Sequence, residues 1–501
     1  QVKDFRDLKT EWLSLSQEDR TARIKAFVSP VSLLGKWISA EGHSKDKRSG
    51  LTKLFVAHLF YEDVDLTSMF RSSDAAVRSS AQRKMNYGLM KFRLIKGFLN
   101  IVLDTPEVKM CDGRWSQLRI ESIASKAMLK YRKAILNEKL KEKLSEADYE
   151  TGNRVHSKDR IECRKHMLES IEHGALKGAV LQLTEIGDKI FQCIKQRAGW
   201  GNHYGKLVVT EWEVDTSKMT VTDRKVLCIQ WQKATQEVKR IMQEAKDNAI
   251  EEGTSVEQLE AFEKALSVID VSGSMVGAGV MSKALALGIG FSEVSLIKDV
   301  VITFSEEPTA IDLSDCTDVV DKFVKVLCSP WGYSTDMDKV YKLVISIAQD
   351  AQRAAGAATL GPFLPGAVAM FTDGQSNSMC PNLTDKTLLQ RNEAHLQSVA
   401  PGTPMWRSIF WNLNSSAPGF QAREDTPNVQ LVSGYSQALF RQILVGDYEM
   451  VVDEKGAVSL KVDPWTTFMK AVDDPELIPV MEILGRSQEG VMAHFQLPSE
   501  D

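Results

Sequence analysis

The hydrophobic pattern of this chain changes near residue 260, and that change limits the folds that the chain can adopt. Up to about residue 250, apolar residues recur at three- and four-residue spacing, Pro is rare, and alternation of β-branched residues is nearly absent. This pattern is typical of amphipathic helices. Beyond residue 260, short apolar runs rich in β-branched residues, such as KALSVIDVSGSM and DVVITFS, alternate with helical segments. Strands that alternate with helices predict βαβ units and a largely parallel, doubly wound sheet.

Three regions follow from this pattern. We predict a multidomain protein with an all-α, repeat-like region at residues 1–250 and an α/β doubly wound domain at residues 260–440. A mixed segment at residues 441–501 is expected to pack back on the helical region. Within that region, Gly201–Thr220 interrupts the helical pattern and is expected to form a loop or a short hairpin.

The composition bears on the compartment in which the protein works. No run of roughly 18 apolar residues occurs, so neither a membrane span nor a membrane partner is expected. The seven cysteines are odd in number, scattered, and form no CxxC pair. They indicate reduced, mostly buried thiols in an intracellular, cytoplasmic protein.

The net charge of the chain changes sign at about the same place as its hydrophobic pattern. Residues 1–250 contain 45 Lys and Arg against 33 Asp and Glu, a net charge of +12. The rest of the chain contains 17 against 34, a net charge of −17. The two halves are therefore expected to meet different partners or to meet each other, and self-association of copies is one such case.

The motif that carries chemistry follows the first strand of the α/β region. The segment Asp270–Ser274, DVSGS, places a carboxylate and two hydroxyls at the carboxyl end of an apolar strand, where open α/β sheets bind ligands. Thr335 and Asp373 stand in two later loops. Few carboxylates with several hydroxyls suit one divalent ion, Mg²⁺ or Mn²⁺. Taken alone, the motif is equally compatible with a simple turn, because Asp, Ser and Gly are common turn residues.

This order of elements resembles the von Willebrand factor A domain and its metal-ion-dependent adhesion site. There a DxSxS sequence, a Thr on a second loop and an Asp on a third supply the oxygen ligands. Each ligand has a match in this chain: Asp270, Ser272, Ser274, Thr335 and Asp373. The resemblance implies a Rossmann-like domain whose metal keeps one open position for an acidic group of a partner protein. The residues leave open whether the metal recruits such a partner or only braces the loops.

Five further segments resemble, in the same order, a family of plant, fungal and viral proteins that shares a domain of unknown function. The segments are LLGKWISAEG, TPEVKMCDGRW, SIASKAMLKYRKAI, CIQWQKATQEV and VQLVSGYSQALF. The helical region followed by a metal-binding domain also resembles the TROVE proteins, whose member the Ro autoantigen joins a helical repeat ring to a von Willebrand A domain. Ro-type proteins bind small structured RNAs on that ring. This looser resemblance implies an RNA partner for residues 1–250, although a shared fold does not by itself transfer function.

Basic residues with aromatic residues among them form a candidate RNA surface in the helical region. Lys and Arg neutralise phosphates, and aromatic or guanidinium planes stack on unpaired bases of structured or single-stranded RNA. The candidates are Arg114, Arg119, Lys126, Lys130, Arg132, Lys133, Arg160, Arg164 and Lys165. The alternative interpretation is a solvated helix face, balanced by Glu121, Glu138 and Glu142.

The sequence offers little for catalysis. It contains no GxxxxGK[ST] phosphate loop, no GxSxG motif, and no His between residues 204 and 394. We therefore expect a non-catalytic macromolecule-binding protein, an RNA-binding component of a ribonucleoprotein-type assembly with an adhesion site for an acidic partner. The main alternative is a scaffold subunit of a protein assembly, including a viral one, that uses the metal site without RNA. A metal-dependent phosphoesterase is a weaker third option, because a base is missing and only one metal is expected.

Overall fold

The computed structural model describes most of the chain between residues 50 and 435. The described stretches are 50–61, 63–102, 105–138, 150–178, 181–203, 206–217, 219–251, 257–304, 307–331, 336–374, 388–414 and 428–435, together with two strands at 448–452 and 458–462 and a few isolated positions. The chain divides into two compact units. The first comprises Gln1–Arg119, Ile135–Glu138 and Leu144–Met167, and the second comprises Ile120–Ala134, Lys139–Lys143 and Leu168–Asp501.

The described part of the first unit is helical. Its main helices pack around a small apolar core that includes Val56, Leu66, Met85 and Phe92. Asp65 is the N-cap of the second helix, and its side chain accepts a hydrogen bond from the backbone N–H of Ser68, a donor that the helix itself leaves unpaired. The helices are α1 (Leu51–Tyr61), α2 (Leu66–Arg71), α3 (Ala75–Val102) and α4 (Pro106–Cys111).

Two further helices contain residues of both units. They are α5 (Ser125–Ile135) and α6 (Lys158–Glu172). The helices that follow belong to the second unit: α7 (Leu183–Cys193), α8 (Val221–Glu251), α9 (Glu257–Glu263), α10 (Gly273–Gly277), α11 (Met281–Val294), α12 (Val319–Leu327), α13 (Met337–Ala355) and α14 (Leu388–Val399). Within the described stretches, no helix is long and apolar enough to cross a membrane.

A six-stranded sheet is the centre of the second unit, as the alternating pattern predicted. Its order is β5-β4-β3-β6-β7-β8, and all neighbours are parallel except β5, which pairs antiparallel with β4 at one edge. Every residue of the central strands β3 and β6 is buried, which is typical of a parallel sheet covered on both faces. The strands are β3 (Ala265–Asp270), β4 (Val300–Phe304), β5 (Thr309–Asp312), β6 (Ala367–Thr372), β7 (Arg407–Asn412) and β8 (Val429–Ser433).

Two hairpins accompany the sheet. Strands β1 (Lys195–His203) and β2 (Lys206–Asp215) pair antiparallel, so the interruption expected at Gly201–Thr220 is the hairpin, and it begins earlier than predicted. Strands β9 (Tyr448–Val452) and β10 (Val458–Val462) form a second antiparallel pair. The rest of the segment predicted at residues 441–501 lies outside the described residues.

The two faces of the sheet carry different helices. One face packs against α13 and α14, with Val268 and Met370 pointing into that core. The other packs against α11 and α12, and apolar residues of α7 and α8 extend the same core. The sequence assigned α7 and α8 to the helical region, but in the structure they are an outer layer of the α/β unit.

Close helix contacts hold this outer layer. A Cβ atom added to Gly187 of α7 would lie 2.5 Å from the Cβ of Ala286 in α11. From α8, Trp231 Nε1 donates to Glu293 of α11 at 2.7 Å. Helix α11 is consequently enclosed between sheet and outer layer, and every position from Met281 to Ser292 except Lys283 is buried.

Candidate functional site

The candidate site lies where the chain leaves the two central strands. From β3 the chain continues to β4 on one side, and later returns to β6 on the other side of β3. Such a reversal of strand order opens a crevice at the carboxyl edge of a doubly wound sheet, which is the usual ligand position. Asp270 ends β3 and Thr372 ends β6, and the register pairs the preceding residues, Ile269 and Phe371.

Hydrogen bonds fix the carboxylate of Asp270 from two directions. Its Oδ1 accepts the backbone N–H of Ser272 at 2.9 Å, and its Oδ2 accepts the hydroxyl of Thr372 at 2.8 Å. The hydroxyl oxygens of Ser272 and Ser274 lie 2.9 Å apart. The DVSGS turn therefore brings one carboxylate and two hydroxyls together.

Asp373 supplies a second buried carboxylate. Asp270 and Asp373 both have no exposed surface. The pKa of Asp270 is raised to about 6, mainly by burial and also by the negative charge of Asp373, while the hydrogen bonds from Ser272 and Thr372 act in the opposite direction. A buried carboxylate whose ionised form is disfavoured in this way is stabilised by a nearby cation.

The donor set is compatible with a hard divalent cation. In the stretches that the structure describes, no three His, Cys, Asp or Glu side chains come together as a metal site. The candidate site is of another kind, with two carboxylates and two hydroxyls, and oxygen donors of this sort suit Mg²⁺ or Mn²⁺. Of the five predicted ligands, Asp270, Ser272, Ser274 and Asp373 lie at this edge of the sheet, at or directly after the ends of β3 and β6, and Thr335 lies outside the described residues.

Sequence reasoning missed Thr372. This residue is 2 % exposed, and besides its bond to Asp270 it accepts the backbone N–H of Gly374 at 3.3 Å. The available signal was its position, since the last residue of β6 must lie beside the last residue of β3 in a parallel pair.

Three of the predicted RNA contacts are buried, and burial prevents them from reaching a polyanion in this conformation. Arg132 is 6 % exposed and its Nε donates to Asp223 at 2.7 Å. The side chain of Arg164 is fully buried, and its Nη1 donates to the carbonyl oxygen of Leu136 at 2.5 Å. Arg160 is 6 % exposed.

The contacts of Arg160 are structural. Its guanidinium lies 3.5 Å from the ring centre of Trp115. The neighbouring Asp159 accepts the backbone N–H groups of Trp115 and Ser116, each at 2.8 Å. Trp115 and Arg160 therefore stack on each other, which explains why aromatic and basic residues occur together in this part of the sequence.

The other basic candidates retain solvent access to differing degrees. Arg119, Lys126, Lys130 and Lys165 are exposed, whereas Arg114 and Lys133 are half-buried. Lys126 forms an ion pair with Glu185 at 2.8 Å, and Lys130 lies over the ring of Tyr131 at 4.9 Å. Lys126 and Lys130 are one helical turn apart on α5 and are its two exposed basic candidates.

Comparison with known proteins places the site in a domain without an assigned role. Residues 264–477 match a family model described as a domain of unknown function (DUF7788). The chain is also similar to Uncharacterized protein L728 of Acanthamoeba polyphaga mimivirus, with 28 % identity over 205 residues. That alignment covers 40 % of this chain and 33 % of the viral protein, so the chain matches a third of that relative's length. These matches are compatible with the expected family of unknown function, and the von Willebrand A and TROVE resemblances stay predictions.

Proposed function

We propose that this chain is a non-catalytic binding protein whose α/β unit is a von Willebrand A-like domain that captures an acidic group of a partner protein through one Mg²⁺ or Mn²⁺ ion. The observation that supports the proposal is the pair of buried carboxylates, Asp270 and Asp373, beside the hydroxyls of Ser272 and Ser274 at the switch point of the sheet.

The proposed division of labour follows from the donor chemistry. Asp270, Ser272, Ser274 and Asp373, together with Thr335, would hold the ion. The bound ion would supply a positive charge with room for a further oxygen ligand. Hydroxyl donors leave the ion more electron-poor than an all-carboxylate set would, and an electron-poor ion attracts a carboxylate from outside. Capture of a partner's carboxylate in this way requires no nucleic acid, so the proposal includes a scaffold subunit that binds neighbouring proteins through the metal.

Titration of the full chain with Mn²⁺, followed by the electron paramagnetic resonance signal of free Mn²⁺, tests the site. We expect one bound ion for the wild type and none for Asp270→Ala. Asp312→Ala is a matched control, because Asp312 also ends a strand and accepts a backbone N–H two residues on, from Ser314 at 2.8 Å, but it is exposed at the end of the antiparallel edge strand β5. A wild type that binds no Mn²⁺, or an Asp270→Ala variant that binds it equally well, would refute the proposal.

Capture of a carboxylate is tested on the Mn²⁺-loaded protein. A ligand that replaces a metal-bound water lowers the enhancement of water-proton relaxation. We expect N-acetylglutamate to lower it saturably and N-acetylglutamine, which has the same shape without the charge, to leave it unchanged. Equal behaviour of the two compounds would contradict capture and leave the metal as a brace for the loops.

RNA binding is a second candidate, supported by the exposed positions of Lys126 and Lys130 on α5. If each neutralises one phosphate, Lys126→Glu/Lys130→Glu should weaken binding of single-stranded RNA and reduce the salt slope by roughly 1.4, at about 0.7 per phosphate. Lys298→Glu/Lys342→Glu changes two exposed lysines of the α/β unit, with side chains 66 % and 55 % accessible, and should change neither quantity. Filter binding over a series of salt concentrations measures both, and an unchanged slope in the first variant would remove the candidate.

A further inference from the structure

We infer that Thr372 is a positioning residue for the candidate metal site, whose hydroxyl fixes the carboxylate of Asp270 and joins the loop after β3 to the loop after β6. The inference rests on the proposed function, and it concerns a residue outside the predicted ligand set.

Strand register places the two residues side by side. Ile269 and Phe371 are partners across the parallel pair and contribute to the core under α11. Alternation along the strands then turns the next residues, Asp270 and Thr372, toward the opposite face, the one covered by α13 and α14. The hydrogen bond of 2.8 Å between Thr372 Oγ1 and Asp270 Oδ2 follows from this placement.

The direction of that hydrogen bond is fixed by a third group. A hydroxyl has one proton to donate and accepts through its lone pairs. The backbone N–H of Gly374 donates to Thr372 Oγ1 at 3.3 Å, and an ionised Asp270 can only accept, so the hydroxyl proton points to Asp270. One threonine thereby connects the backbone of the second loop to the carboxylate of the first.

The two oxygens of Asp270 are consequently held by donors from different strands. The backbone N–H of Ser272 holds Oδ1 at 2.9 Å, and Thr372 holds Oδ2. Rotation of the carboxylate would break both bonds in a position without solvent access. Partners of this kind orient the groups around a metal, and their loss typically lowers metal affinity by about 10- to 100-fold.

Three substitutions distinguish the effect of losing the hydroxyl from the effect of changing the size of the side chain. Thr372→Val keeps the branched shape and removes the hydroxyl, Thr372→Ser keeps the hydroxyl and removes a methyl, and Thr372→Ala removes both. Thr303→Val is a matched control in the neighbouring strand β4, because Thr303 is fully buried and its hydroxyl donates to the carbonyl oxygen of Thr309 at 3.3 Å. Mn²⁺ affinity and the unfolding temperature of the metal-free protein are measured for each full-length variant.

We expect Thr372→Val and Thr372→Ala to weaken Mn²⁺ binding by about 10- to 100-fold. Thr372→Ser should stay within about threefold of the wild type, since it restores the donor, and Thr303→Val should leave affinity unchanged even where it lowers the unfolding temperature. Equal affinity of Thr372→Val and the wild type, or equal losses for Thr372→Ser and Thr372→Ala, would overturn the inference. If Thr372→Val does not fold, the Ser and Ala variants decide, because both are smaller than Thr. A wild type that binds no Mn²⁺ would instead refute the proposed function.

Discussion

Replacement of Gly187 by alanine tests the packing of α7 on α11. The new Cβ would lie 2.5 Å from Ala286 Cβ, 3.0 Å from the carbonyl oxygen of Ser282 and 3.2 Å from Phe323 Cζ. The first two atoms belong to the backbone of α11 or are attached directly to it, so they cannot swing aside. The helices must separate to admit the methyl group.

The expected cost follows from two opposing effects. Overpacking of a well-filled core costs about 1–3 kcal/mol, and contact with rigid atoms puts this site at the upper end. Alanine in place of glycine gains about 1 kcal/mol of helix propensity. The net loss is about 2 kcal/mol, which corresponds to a decrease in unfolding temperature of roughly 2–4 °C for a unit of about 350 residues, at about 2.1 cal/mol/K of unfolding entropy per residue.

Thermal unfolding followed by circular dichroism measures this loss, and two further variants interpret it. Gly97→Ala in α3 places its Cβ where no atom lies within 4 Å, so it should stabilise its helix by about 0.5–1 kcal/mol. Ala286→Gly combined with Gly187→Ala removes the closest contact and should show a favourable coupling of at least about 1 kcal/mol. If Gly187→Ala stabilises the protein as Gly97→Ala does, α7 does not approach α11 this closely.

Three other substitutions test single contacts. Asp270→Asn should abolish Mn²⁺ binding in the titration and raise the unfolding temperature of the metal-free protein by several degrees, because it removes a buried charge beside Asp373. Arg132→Met should cost about 1–3 kcal/mol in denaturant unfolding, since it removes the 2.7 Å bond to the buried carboxylate of Asp223 and leaves that carboxylate paired with Lys133 at 3.6 Å; an unchanged stability would contradict the burial. Arg224→Met removes two bonds to Asp318, at 2.5 and 2.8 Å, and one to Asp321 at 2.5 Å, and should cost about 1–3 kcal/mol at pH 7.

The last of these effects should depend on pH. Burial alone would raise the pKa of Asp318, but the hydrogen bonds and charge of Arg224 outweigh it and leave the pKa below its ordinary value. A carboxyl with a lowered folded-state pKa stabilises the protein above its unfolded pKa, near 4, and loses this contribution as the pH falls through the folded-state pKa. The difference between Arg224→Met and the wild type should therefore shrink in acid, and an unchanged difference would contradict the ion pair as its source.

Much of the α/β fold could be predicted because its strands have a strong local signal. Runs such as Val300–Phe304 and Ala367–Thr372 are apolar and rich in residues that favour strands, and their alternation with helices determines a parallel arrangement. The short edge strand β5 was missed, since its four residues carry no such run. The DVSGS turn was recognisable because it directly follows an apolar strand.

Long-range partners could not be predicted from spacing. Arg132 has the sequence appearance of an exposed basic residue, and only its pairing with Asp223, 91 positions away, shows that it is buried. The amphipathic pattern of α7 shows that one face is buried but not against which element. Gly187 in α7, and Gly288 and Gly290 in α11, were the available sign of close approach between elements.

The enclosed position of α11 bears on which elements must accompany the matched region in related proteins. The family match begins at residue 264, after α7 and α8, yet both helices cover α11. A protein that shared only the matched region would expose to water the side of α11 that meets α7, where Ala286 faces Gly187 and Gly290 faces Leu183, unless another element replaced the missing layer. The matched region therefore omits helices that cover α11 in this chain, and we expect relatives to carry, before the strand that corresponds to β3, other elements that cover the same side of that helix.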